Sequence, residues 1–483
     1  RGLVVKTGMS TEVGKIASGV SGKGSATPLQ TALDRLGGMI GAGASCVLVG
    51  VIIFAWLVDY NDPAHPTYQK YMKLLLMGVT FAVSSIPEGL PMVVTICLSV
   101  GCIDMANRKA QVRKLPAVET LGSCSVVCSD KTGTLTEGKM TLVKLVTFCR
   151  PAPGAAETGT SENAHMTSTY PQKGFNPNGG FFDTAALTKE AMDGIIEKYE
   201  SGDVSKHRPE QSYEEVLPDY GNPNGSVAET GKGQMVRSTM LAAWLNSYET
   251  KYHYDDDSKL FKVKGNMSEG ALVVGASKAR WAQDDDKLRQ SYARMNELEV
   301  PFNSSRKMMA TFHKLETPGS FNGIALRKPT VYRRRPSKAD LGGASHAPIG
   351  EGPDPTITHC AVVKGAPDKL FPWISYMIAE KDGSLILDDS EAVNEAEMME
   401  VNQNNLDFAE HALRCLACCI VPLTEGDVMQ MKTLKDATER LDFTIGALGE
   451  EASKQSGKLA LLGLMGSVDP PRAGVMEAVG KCR

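Results

Sequence analysis

Ser125-Val126-Val127-Cys128-Ser129-Asp130-Lys131-Thr132-Gly133-Thr134-Leu135-Thr136 is the stretch on which the reading of this chain turns. Its opening, with β-branched Val126 and Val127, predicts a short strand; the polar remainder, broken by Gly133, predicts a loop. Open α/β sheets gather their ligands at the carboxyl ends of strands, which places Asp130 where a side chain meets a ligand. A carboxylate there is a candidate nucleophile, able to take up a phosphoryl group as an aspartyl-phosphate while Mg²⁺ spreads the transferred charge. Lys131, the loop amides and the hydroxyls of Thr132 and Thr134 are suited to hold phosphoryl oxygens. The bland alternative is an aspartate in an ordinary turn, and the flanking sequence weighs against it.

Upstream, apolar residues are concentrated in two runs. Gly37 to Val58 is 22 residues without a charge, and a helix of that length covers about 33 Å, enough to cross a bilayer. After a link rich in turn formers, Leu74 to Ile103 supplies 30 residues whose only charge is Glu88. Pro87 and Pro91 bracket that carboxylate in Ile86-Pro87-Glu88-Gly89-Leu90-Pro91. Each proline removes a backbone donor, so the helix is expected to unwind there. Neither half reaches the ~20 residues a span needs, which puts the break near mid-membrane. Freed carbonyls lining a polar cavity, beside a carboxylate, make an oxygen site for a hard cation. Glu88 is the candidate ligand, against the alternative of a kinked helix with Glu88 protonated or paired. Arg35 before the first run, and Arg108, Lys109, Arg113 and Lys114 after the second, place both outer ends in the cytosol.

At 483 residues the chain is expected to hold two to four structural units, on a prior of roughly 150 residues per domain. A net charge of -4 lacks the basic excess of a nucleic-acid binder, so no nucleic-acid partner is expected. The 11 cysteines follow no secretory signal, which predicts reduced thiols. Cys124 with Cys128, and Cys415 with Cys418 and Cys419, come near metal-ligand spacing but lack a second pair or accompanying histidines.

DKTGTLT at 130–136 resembles the phosphorylation signature of P-type cation-transporting ATPases, and IPEGLP at 86–91 resembles the fourth-helix motif of their type II members, most like the calcium pumps. TGMSTEVGKIA, TPLQTALDRLG, VRKLPAVETLGS and VDPPR are similar to family segments and stand in family order. The resemblance covers nearly the whole chain apart from insertions. It implies that Asp130 accepts the γ-phosphoryl group of ATP and shares Mg²⁺ with the backbone carbonyl of Thr132. It implies further that Glu88 and the backbone carbonyls of Val83, Ser84 and Ile86 bind the transported cation. The cysteine-proline pair of heavy-metal pumps is absent, which disfavours soft metals. Ca²⁺ is the first choice of ion; sodium, potassium and manganese pumps of the same family stay open.

More than 300 residues separate this loop from the apolar strand predicted at Lys458–Gly466. Within them, KGNMSEGAL, VPFNSSRKMM, VKGAP and ALRCLA resemble patches of the family's nucleotide-binding domain, in order. They map Glu269 near adenine, Phe302 against the base with Lys307 nearby, Lys364 at the mouth of the pocket and Arg414 on phosphate. Alone, KGAP or ALRCLA is more often a turn and a core helix; four patches in the right order shift the balance. Related calcium pumps carry an arginine two residues after the aromatic; Ser304 stands there. Residues 151 to about 232 and 327–355 are rich in Gly, Pro, Ser, Thr and charge and read as insertions, the first as surface loops with only a short helical pattern near 184–200. The second holds Arg333-Arg334-Arg335-Pro336-Ser337, a basic loop suited to phosphorylation or to an anionic lipid surface, though more often such a loop is simply solvated.

The expected architecture is an α/β multidomain membrane protein: a two-helix transmembrane hairpin and a partial Rossmann-like phosphorylation domain interrupted by an α+β nucleotide-binding domain. Residues 1–36 are assigned to an actuator tail and linker, 37–103 to the hairpin, 104–138 to the stalk and first part of the phosphorylation domain. Residues 139–456 are assigned to the nucleotide domain and 457–483 to the returning phosphorylation segment. The bulk faces the cytosol; the partners are ATP, the transported cation and the lipid bilayer. No threonine-glycine-glutamate actuator loop or GDGxND hinge is found, so the chain reads as a central fragment that does not pump alone. Two other classes remain at this point: a membrane-tethered aspartate-nucleophile phosphatase, and a non-enzymatic nucleotide-binding membrane adaptor.

Overall fold

A run rich in leucine, valine, isoleucine and alanine, with no proline after its first residue, carries a helix from Pro28 to Leu57 through five glycines. The computed structural model describes residues 4–20, 28–58, 70–85, 89–151, 163–170, 172, 174–177, 179–183, 231–247, 249–281, 283, 285–327, 353–388, 392–447 and 457–482. They fall into two compact units, 1–128 and 129–483.

The first unit is helical: α1 (Glu12–Val20), α2 (Pro28–Leu57), α3 (Lys70–Ser85), α4 (Gly89–Asn107) and α5 (Pro116–Ser123). Within α2, Thr31–Phe54 has a mean hydropathy of 2.2 and is the one described segment long and apolar enough to cross a membrane. A Cβ at Gly78 would collide with the Leu48 side chain, so this glycine is what lets α3 lie against α2. The second apolar run carries two helices, α3 and α4, on either side of the expected interruption; among the described residues only α2 is long and apolar enough to span, so the expected two-helix hairpin is shown by one helix. α4 begins at Gly89 and takes Pro91 into its first turn, where a missing N–H costs nothing because it has no intrahelical acceptor. Ile86, Pro87 and Glu88 lie outside the described residues.

The second unit is built on one sheet, ordered β6-β7-β10-β13-β14-β1-β11-β12-β9-β8, with β2 and β3 added beside β1. The strands are β1 (Thr141–Arg150), β2 (Ala164–Tyr170), β3 (Gly180–Asp183), β6 (Tyr292–Arg294), β7 (Met308–Leu315), β8 (Ser320–Phe321), β9 (Ile324–Ala325), β10 (Ile357–Gly365), β11 (Ile374–Lys381), β12 (Ser384–Asp388), β13 (Arg414–Thr424) and β14 (Leu459–Val468). A separate hairpin pairs β4 (Lys251–Asp255) with β5 (Leu260–Lys264). The central strands are buried without alternation, nine of ten residues in β14, as befits a sheet covered on both faces. One face packs on α6 (Gly231–Leu245) and α7 (Met267–Lys278). The other packs on the helices Glu395–Glu410, Glu425–Thr433 and Ala437–Ile445.

Three expectations change. Residues 125–128 form no strand; Val126 and Val127 are 75 % and 65 % exposed, because no neighbour among the described residues offers them a ladder, and a strand exists only by pairing. The strand predicted at Lys458–Gly466 is β14, and it lies inside this sheet, antiparallel to both β1 and β13. The boundary drawn before residue 457 therefore cuts through one sheet. The stretch read as surface loops from 151 onward contributes β2 and β3, whose Thr167, Thr169, Phe181 and Phe182 are buried. β-branched and aromatic residues won there over the Gly/Pro-rich surroundings. The short helix expected near 184–200 and nearly all of 327–355 lie outside the described residues.

Candidate functional site

The loop after Asp130 closes on itself: the Thr136 N–H donates to the Lys131 carbonyl at 3.1 Å. Gly133, at φ +77°, makes the reversal, a conformation in which a side chain would be strained. What pins the loop comes from far along the chain. The Asp469 carboxylate accepts from the Thr136 hydroxyl at 2.6 Å, the Gly138 N–H at 2.9 Å and the Lys139 N–H at 3.2 Å. Arg472 donates to the Gly133 carbonyl at 2.7 Å and the Thr136 carbonyl at 3.0 Å. The Glu137 N–H reaches the Pro470 carbonyl at 2.9 Å. Hydrogen bonds to an ionised partner are the strong ones, so Asp469 and Arg472 fix the backbone from Gly133 to Lys139. Asp130, Lys131, Thr132 and Thr134 stand exposed on it. The carboxylate of Asp130, the carbonyl of Thr132 and the neighbouring hydroxyls form a set of hard oxygens suited to Mg²⁺, which takes one or two carboxylates and keeps several waters.

The nucleotide patches assemble around the end of β10. Lys364 is buried, 4 % exposed, and its ammonium donates to the Ser247 hydroxyl at 2.7 Å, the Asn246 carbonyl at 3.1 Å and Glu269 Oε1 at 3.3 Å. A lysine has three protons to give, and all three are used. The lysine expected at the mouth of the pocket is thus buried, its ammonium turned onto three acceptors. Burial pushes it below its ordinary pKa while the Glu269 charge pulls it back. Glu269 sits in the first turn of α7, where a carboxylate suits the helix N-terminus; its Oε2 accepts from the Thr250 hydroxyl at 3.0 Å. Gly265, at φ +126°, packs against Thr250 so closely that a Cβ would stand 2.6 Å from its hydroxyl. The turn before α7 thus needs glycine.

Phe302 and Lys307 lie on the loop leading into β7. Phe302 is 57 % exposed, and the Lys307 carbonyl accepts from the Ala366 N–H at 2.9 Å. β7 pairs Met309 with Lys364 and Met308 with Gly365, which brings this loop to the VKGAP patch. Arg414 is not brought to them: on β13 it is Cys418 that pairs with Lys364. Arg414 pairs instead with Ser467, two residues before Asp469. In α3, Val83 and Ser84 belong to the last turn, where backbone carbonyls have no intrahelical donor. Their proposed companions Ile86 and Glu88 lie outside the described residues.

Sequence reading noted Asp469 and Arg472 only within VDPPR, a segment similar to the family, and not as partners of the loop; it missed Asn246, Ser247 and Thr250, which stand as polar letters just after the apolar helix α6. Nothing local announced their partners.

A family model described as P-type ATPase, cytoplasmic domain N, matches residues 236–327 and 351–474. It passes over 328–350, within the stretch read as the second insertion. A P-type sodium-transporting ATPase4 of Toxoplasma gondii is 45 % identical and one of Plasmodium falciparum 42 % identical, each over the whole chain and over 34 % and 35 % of its own length. A calcium-transporting ATPase of Bacillus subtilis is 29 % identical, again over the whole chain and over 39 % of its length. The chain thus spans about a third of the length of the curated relatives it matches. The family match runs through the sheet of the second unit and on to Arg472, the residue that holds the DKTGT loop in place; across its whole length the chain is similar to P-type cation-transporting ATPases.

Proposed function

We propose that this chain carries the phosphate-accepting and nucleotide-binding parts of an ATP-driven cation transporter of the membrane. The observation that carries the reading is the pinned DKTGT loop: Asp469 and Arg472 order its backbone and leave the Asp130 side chain open to solvent. A carboxylate oxygen of Asp130 attacks the γ-phosphorus of ATP, the bond from that phosphorus to the β–γ bridging oxygen breaks, and ADP leaves. An acyl phosphate remains on Asp130. Lys131 and the hydroxyls of Thr132 and Thr134 hold the phosphoryl oxygens through the transfer, each donor preorganised by the closed loop. Mg²⁺, held by Asp130 and the Thr132 carbonyl, supplies neutralisation of the developing charge. Glu269 and Phe302 receive the adenine, Lys307 and Arg414 the phosphates, and Lys364 fixes Glu269.

The cation is held at the end of α3, by the carbonyls of Val83, Ser84 and Ile86 and by Glu88. Sodium is the first reading, supported by relatives of that printed name at 45 % and 42 % identity. Calcium is the second, supported by the IPEGLP motif and by calcium-named relatives at 29 % and 27 %. The bulk faces the cytosol, from which the ion is exported.

The test uses membranes containing the full-length protein and ATP labelled in its γ-phosphate. Acid-stable label on the protein is expected, to be lost in Asp130→Asn and raised severalfold by Na⁺. Stimulation by Ca²⁺ alone transfers the reading to calcium; label retained in Asp130→Asn ends the aspartyl-phosphate assignment.

A further inference from the structure

The loop Pro301–Lys307 contains a single arginine, Arg306, whose guanidinium reaches the helix Ala437–Ile445. Arg306 Nη1 donates to the Thr438 hydroxyl at 2.9 Å, in the first turn of the helix Ala437–Ile445. Its Nη2 donates to the Pro301 carbonyl at 3.2 Å, back across the loop. Asp442 lies on the same helix; burial lifts its carboxyl above the ordinary value and the Arg306 guanidinium acts against that rise. The rest of the loop is secured locally. Asn303 Oδ1 accepts from the Ser305 N–H and hydroxyl at 2.8 and 2.7 Å, the Lys307 N–H donates to the Asn303 carbonyl at 2.7 Å, and the Lys307 carbonyl takes the Ala366 N–H.

Asn303 and Lys307 anchor the second half of the loop, whereas among the described residues Pro301 and the exposed Phe302 are tied to the body through Arg306 and the bridge of Val300 to Ala310. We propose that Arg306 is the positioning residue of the nucleotide loop: its planar guanidinium spans from the Pro301 carbonyl to Thr438 and so presents the Phe302 ring to the base. This rests on the reading of Phe302 as the base-stacking residue. A guanidinium is the group for the task because its donors diverge in one rigid plane; a lysine at 306 gathers its three donors on a single atom and cannot reproduce that span.

The consequence is a change in nucleotide affinity without a change in chemistry, since Arg306 touches neither Asp130 nor the residues that pin it. In the full-length protein, phosphoenzyme is measured against ATP concentration. Arg306→Ala is expected to raise the half-saturating ATP concentration about 5-fold at unchanged maximal phosphorylation. Arg306→Lys recovers part of the loss, Thr438→Val reproduces a smaller rise, and Thr438→Ser behaves as wild type. Arg306→Ala combined with Thr438→Val is expected to be no worse than Arg306→Ala, since both remove one bond. An unchanged half-saturating concentration in either single variant overturns the proposal, as does a fall in maximal phosphorylation with no change in affinity. Should Arg306→Ala not fold, Thr438→Val removes the same link from the other side and decides. A wild-type protein that takes no label at all refutes the underlying pump reading instead, which separates the two failures.

Discussion

The aspartate loop and the Glu269–Lys364 pair, both assigned to the nucleotide in the proposed function, hold their charges in opposite ways. At the loop the order lies in the backbone, which side chains from 333 positions later grip while the carboxylate itself stands in solvent. At the pair the order lies in the side chains: the lysine is satisfied by α6 and by Glu269, and the glutamate by Thr250. The difference follows from what each has to do. A nucleophile must meet an incoming phosphate, so donors on its side chain would have to be stripped before reaction. A wall residue has to keep its place, and a buried charge keeps it only when its partners are complete, since an unpaired one costs several kcal/mol.

The sharpest way to break the comparison is to remove one member of the buried pair. Lys364→Met leaves Glu269 without its counter-charge, and a loss of about 3–5 kcal/mol in stability is expected. Adding Glu269→Gln should return much of it, because the orphaned charge is gone. Thermal unfolding of the full protein, followed by tryptophan fluorescence, measures both. If the single variant costs no more than an exposed ion pair, roughly 1 kcal/mol or less, the pair is not organising this wall.

The pH response sharpens the contrast, since it should reside in the buried sheet. His313 in β7 is 1 % exposed. Its Nδ1 lies 3.2 Å from the Tyr292 carbonyl, which can only accept, so Nδ1 carries the proton and Nε2 accepts from the Thr311 hydroxyl at 3.0 Å. Burial lowers its pKa from 6.5 to about 4, with the Tyr292 carbonyl acting upward and Arg294 downward. Between those values the unfolded chain binds a proton that the folded chain does not. Stability is therefore complete above pH 6.5 and falls as pH drops toward 4, by about 3 kcal/mol in all. His313→Gln should flatten that slope whatever its effect at neutral pH; an unchanged slope removes His313 as its source.

Which parts of this arrangement were legible in the sequence follows the same division. DKTGT announces its nucleophile because a loop's chemistry is written in consecutive letters, and the Glu269, Phe302 and Lys364 patches are likewise local. Their environments are not local. That Lys364 points inward depends on Asn246 and Ser247, 118 and 117 residues earlier, and no periodicity links them. The apolar runs gave α2, and the two prolines gave the interruption between α3 and α4; what they did not give is that Pro91 stands inside the first turn of α4, because hydropathy does not see where a helix restarts. The Val126-Val127 strand failed for a related reason, propensity being only half of a strand and a pairing neighbour the other half.

Asp469 is where the exposed half of the comparison can be tested without touching the nucleophile. Asp469→Ala strips the acceptor from Thr136, Gly138 and Lys139 together, so the loop loses its hold on one side while Arg472 keeps the other. Misplacing a reacting group by a fraction of an ångström is costly, and the rate of phosphoenzyme formation is expected to fall about 100-fold. Nucleotide affinity should stay within about 2-fold, because Asp469 donates to and accepts from nothing around Glu269 or Lys364. Asp469→Asn keeps one carbonyl acceptor without the charge and should fall between. Rapid-quench phosphorylation at saturating ATP gives the rate and equilibrium nucleotide binding gives the affinity. Were both to fall together, the loop and the nucleotide wall would be one coupled structure, and the distinction between order held in backbone and order held in side chains would not survive.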